Sequence, residues 1–150
     1  MIELIATIII TASSVLLFGY WFRYTCLLIL NTKTATDYAA AVAAANQLHF
    51  VGVQAQLRQG VTDLDGLRQS LDSDYKVLSS LLKSSESGDA ADGAIESRML
   101  EVNYRLMRMW YTTTRTFSTS MAAKALDEMS MIVAHFANTM GERNCAAAAA

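Results

Sequence analysis

Proline is absent from this 150-residue chain, and glycine occurs only 7 times. A chain so poor in both is not a collagen, a disordered linker or a turn-rich β-sandwich. It has 2 cysteines, which excludes a disulfide-dense secreted scaffold and fits a reducing compartment. Charge of one sign is also missing: 12 basic residues face 14 acidic ones, for a formal net charge of -2. Backbone phosphates demand a basic surplus, so no nucleic-acid partner is expected.

What the chain does have is hydrocarbon, with 53% of its residues hydrophobic. Residues 4–22 read LIATIIITASSVLLFGYWF and carry no charge. As a helix they reach roughly 28 Å, about the thickness of a bilayer core. A helix satisfies its own backbone hydrogen bonds, as a spanning segment must. Tyr20, Trp21, Phe22, Arg23 and Tyr24 follow as a membrane-interface cluster. Amphipathic rings suit the headgroup level, and the Arg23 stem can lie along lipid while its head reaches phosphate. The apolar character resumes over residues 26–30, so one helix is predicted from about residue 3 to about residue 31.

The leading residues Met1, Ile2 and Glu3 lack the basic start of a cleaved signal peptide, which favours an uncleaved anchor. Arg23 and Lys33 lie on the C-terminal side of the span. The positive-inside rule therefore predicts a cytoplasmic C-terminal part at the cell membrane. Glu3 ahead of an apolar helix resembles the start of a mature type IV pilin, but no glycine-ended leader precedes it. A carboxylate at a positive helix end suffices to explain it.

The rest of the chain reads as amphipathic helix. A first stretch runs from about Asp37 to Gln59, capped by Thr34 or Thr36 and stopped by Gly60. A second runs from about Asp63 to Lys83, with Thr62 and Asp65 at capping-box spacing. Its apolar set is Leu64, Leu67, Leu71, Tyr75, Leu78, Leu81 and Leu82. Residues 84–93, SSESGDAADG, read as a loop. A third stretch runs from near Asp92 to near Met140, with Gly141 as its stop. Its apolar positions step by 3 or 4 through Ile95, Met99, Val102, Leu106, Trp110, Thr113 and Phe117, and on through Met121 to Met140. TTTRTFSTS at 112–120 weakens helix through its hydroxyls. The phase nevertheless passes unbroken, which favours one long helix, bent or straight, over two.

The predicted fold class is all-α. One N-terminal transmembrane helix precedes an amphipathic helical hairpin or small helical bundle, coiled-coil-like. The predicted organisation is a transmembrane helix with its juxtamembrane extension at 1–31, a helical domain at 32–145, and an alanine tail at 146–150 with no assigned function.

No chemistry-bearing motif emerges. Neither His49 nor His135 has a Cys, His, Asp or Glu three or four residues away, so no metal site is expected. No GxxxxGK or GxGxxG occurs, and no nucleophile–base arrangement can be argued. The reading is non-catalytic, without cofactor or small-molecule substrate. Arg98, Arg105, Arg108 and Arg115 give the third stretch a basic side, a candidate docking stripe for acidic lipid or an acidic partner helix. Glu101 is placed to pair with Arg105. The expected partners are the lipid bilayer and either further copies of the chain or another membrane protein. The expected role is a single-pass anchor, scaffold or accessory subunit working through protein–protein contact. The alternative is a relay module that takes a change from a partner membrane protein through the transmembrane helix.

Overall fold

The computed structural model describes residues 1–32, 36–60, 62–85 and 91–149. Two compact units divide the chain, Met1–Lys33 and Thr34–Ala150. All the regular structure in both is helical.

The first unit is one helix, α1 (Ile2–Asn31). Thirty residues of helix reach roughly 45 Å, enough for a hydrocarbon core and part of a headgroup layer. Every residue from Met1 to Trp21 is exposed. Two of its threonines bond back onto the helix: Thr7 Oγ1 donates to the Glu3 carbonyl at 2.8 Å and Thr25 Oγ1 to the Trp21 carbonyl at 2.9 Å. Threonines bonded in this way carry no unmet polar group into an apolar surrounding.

The second unit contains α2 (Ala39–Asn46), α3 (Phe50–Gln59), α4 (Leu64–Ser85), α5 (Ala91–Thr114) and α6 (Thr119–Ala149). The long helix α6 is the hub, packing on α2, α3, α4 and α5. Its buried residues include Ala122, Ala125, Ser130, Ala137 and Gly141, small enough to let neighbours approach. Leu126, Met129, Ile132, Val133 and Phe136 fill the space between them. From α4, Leu64, Leu67, Leu71, Leu78 and Leu82 enter this core, as their spacing predicts.

Four readings of the sequence are corrected. The stretch Asp37–Gln59 is two helices. Gln47 adopts φ 55°, and the Leu48 N–H closes onto the Ala43 carbonyl at 2.9 Å, which ends α2. The buried Asp74 carboxylate then accepts the N–H groups of His49 and Phe50, both at 2.7 Å, and starts α3. That cap comes from another helix, so no local spacing announces it.

The third stretch also breaks, at residues 115–118. Thr112, Thr113 and Thr114 bond their hydroxyls to carbonyls four residues back. Ser118 then caps α6, its Oγ accepting the Met121 N–H at 3.3 Å. The chain reverses here, so α5 and α6 pack antiparallel, as the Asn103–Glu128 hydrogen bond shows.

Gly141 does not stop its helix, because α6 continues to Ala149. A Cβ at Gly141 would collide with Tyr38 Cβ and lie 3.3 Å from Val42 Cγ2, so the glycine is there for close approach. At the start of α4 the capping residue is Asp63, whose Oδ1 accepts the Gly66 N–H at 3.1 Å. Asp65 serves α5 instead. Gly60, at φ 73°, does end α3 as predicted. The proposed cap Thr34, the flanking Lys33 and loop residues 86–90 lie outside the described residues.

Candidate functional site

Two surfaces carry the candidate residues, one on each unit. On α1 the rings of the interface cluster stack along the helix. Phe18 and Phe22 have centroids 6.5 Å apart, as do Tyr20 and Tyr24, while Trp21 meets Tyr24 edge-on at 6.1 Å. Tyr20, Trp21 and Tyr24 are exposed; Phe22 and Arg23 are half-buried. A ring band with a cation among it suits the boundary between hydrocarbon and headgroups.

On the second unit, the four arginines of the predicted stripe, three on α5 and Arg115 in the turn after it, divide into two pairs. Arg108 Nε lies 3.2 Å from Asp72 Oδ2, and Arg115 Nη1 lies 2.6 Å from Asp65 Oδ1. Each aspartate also accepts a tyrosine hydroxyl: Tyr104 to Asp72 at 3.1 Å and Tyr111 to Asp65 at 2.9 Å. Arg68 adds a third bond to Asp72 at 2.7 Å. The unit Asp–Tyr–Arg thus repeats after seven residues on both helices, with Asp65 and Asp72 on α4 facing Tyr111 and Tyr104 on α5. This ladder joins α4 and α5, each of which also packs on α6. The Arg115–Asp65 pair is exposed on both sides and worth about 0–1 kcal/mol, whereas Asp72 is largely shielded between its partners. The tyrosines contribute more through area, since both rings are buried. Burial, then the neighbouring aspartate, pushes the Tyr104 and Tyr111 hydroxyls above their usual range, so they stay protonated donors.

Arg98 and Arg105, the other pair, are exposed. Arg105 bonds the Tyr75 hydroxyl, and the Tyr75 ring stacks on Tyr104 at 4.0 Å. Burial raises the Tyr75 hydroxyl, with Glu101 adding to the rise. Glu101 meets Lys83 on α4 at 3.4 Å, where the sequence suggests Arg105.

The apolar face of α5 is also placed differently from the sequence reading. The buried row is Leu100, Asn103, Tyr104, Met107, Tyr111 and Thr114. The predicted row faces outward: Ile95 is 61% exposed, Val102 53% and Trp110 50%. α5 carries two apolar rows, and the one that packs is the more polar. Its polar atoms find partners, with Asn103 Nδ2 donating to Glu128 at 2.7 Å and the tyrosines to aspartates. Hydrophobicity alone ranks the wrong row first. The missed signal is the matched spacing of seven in Asp65–Asp72 and Tyr104–Tyr111.

His49 and His135 do not come together. The His49 ring is exposed, with Nδ1 3.4 Å from Asp74 Oδ1. His135 lies half-buried on α6, and burial lowers its pKa against the opposing influence of Glu96 and Glu142. Among the described residues no three His, Cys, Asp or Glu side chains group as metal ligands do. The chain matches no family model, no curated protein and no solved structure.

Proposed function

We propose that the chain is a single-pass membrane protein whose helical bundle works by contact with other proteins, as an anchor, scaffold or accessory subunit. The observation that carries this reading is α1. Its apolar window reaches a mean hydropathy of 2.1, and none of that window is buried. An exposed apolar surface of this length in water is an aggregation liability, whereas in a bilayer it is the favoured state. The second unit has a core of its own. The positive-inside rule, applied to Arg23 and Lys33, supports a cytoplasmic side for that unit. Its surface holds ladders and rows suited to helix contact, and a further copy or another membrane protein is the partner class.

Alkaline carbonate extraction of native membranes tests the anchor. The full chain is expected in the membrane pellet. An Ile10→Arg, Val15→Arg variant is expected to shift to the soluble fraction, since each mid-span arginine costs about 2.5–3.5 kcal/mol. Release of the unaltered chain by carbonate contradicts the reading.

A further inference from the structure

We propose that the outer row of α5 seats an amphipathic partner helix carrying acidic residues beside its own apolar seam. The inference rests on the reading of the bundle as a protein-contact module and names the partner's chemistry.

The row is Ile95, Met99, Val102, Leu106, Met109 and Thr113. Its steps alternate 4 and 3, so each kind of position recurs after seven residues, as 95, 102 and 109 do. That repeat marks the narrow seam of paired helices, whereas a helix lying on a bilayer presents a broad apolar face. Ile95, Val102 and Met109 are 61%, 53% and 62% exposed, and Met99 and Leu106 between them are half-buried.

Charge selects the occupant. Arg98 and Arg105 each precede a seam residue by one, so both stand on the same flank. Among the described acids of α5, Glu101 meets Lys83 on α4 and Glu96 lies near His135 on α6. Arg98 and Arg105 are exposed, so the described part of this flank is basic.

A second copy of α5 does not complement it. Antiparallel pairing sets the arginine flank against itself. Parallel pairing sets Arg98 opposite Asn103, which is buried in its own bundle, and Arg105 opposite Trp110. A helix with glutamates on the matching flank meets both arginines.

The test uses the full chain with Trp21→Phe, in nanodiscs of zwitterionic lipid, which leaves Trp110 as the only tryptophan. The probes are two synthetic three-heptad helices with the same Ile/Leu seam, one with Glu at the flanking positions and one with Lys. The Glu helix is expected to blue-shift Trp110 emission and to bind roughly tenfold more tightly than the Lys helix. Arg98→Glu with Arg105→Glu is expected to reverse that preference. Arg98→Glu alone is expected to narrow it, and serves if the double variant loses helicity. Val102→Asp, at an exposed position, is expected to weaken both probes with helicity unchanged.

Equal binding of the two probes, or binding of neither, overturns the proposal. A concentration-dependent Trp110 shift without probe assigns the row to a second copy, and a shift on adding phosphatidylserine vesicles alone assigns it to lipid; either overturns it. Failure of the chain to enter nanodiscs contradicts the anchor instead, and is read separately by flotation.

Discussion

His135 illustrates how burial and charge compete at one residue. Burial holds its pKa below the usual histidine value, while Glu96 and Glu142 pull the other way. The unfolded chain protonates this ring near its ordinary pKa of about 6.5, and the folded chain only at lower pH. Above that value both states are neutral, so the full stability is present. As pH falls from about 6.5 toward the folded pKa, the unfolded state takes the proton first and stability declines. Denaturant melts of the full chain in detergent from neutral to mildly acidic pH are expected to show this decline. His135→Gln is expected to flatten it over that window. An equal decline in the variant assigns the effect to other groups. His49 stands exposed and His135 half-buried, each without a ligand-spaced neighbour in sequence. The sequence could not show Asp74 capping α3, because that contact joins residues 25 positions apart.

At the scale of the element, the same substitution has opposite effects in two helices. Gly141 lies where α6 meets the start of α2, and the Tyr38 N–H donates to Asn138 Oδ1 at 2.7 Å one turn away. Gly141→Ala forces that junction apart and is expected to destabilise the bundle by about 1–3 kcal/mol. Gly52 in α3 has no atom within 4 Å of an added Cβ. Gly52→Ala is expected to stabilise by up to ~1 kcal/mol through helix propensity. Thermal melts of the two variants check the signs, and a stable Gly141→Ala protein contradicts the close docking of α2 on α6. Element type was legible from periodicity and caps throughout, as in the leucines of α4. Breaks were less so. The hydroxyls at 112–120 marked the reversal, but an unbroken apolar phase argued against it. That phase belonged to the outer row of α5, so it carried no information about the packed face.

For the whole molecule, the account joins an exposed apolar helix to a bundle with its own core. The uncharged run at 4–22 was legible as part of one helix long and apolar enough to cross a bilayer, because composition and length alone specify such a helix. The face of α5 left for a partner was not, since choosing between two rows needs the positions of α4 and α6. Sidedness now decides which proteins can reach that face. The direct measurement is labelling of Cys145, an exposed thiol on α6, with a membrane-impermeant maleimide in a Cys26→Ser background. The account predicts no labelling in intact cells and full labelling after permeabilisation. Labelling in intact cells would contradict it, placing the bundle outside.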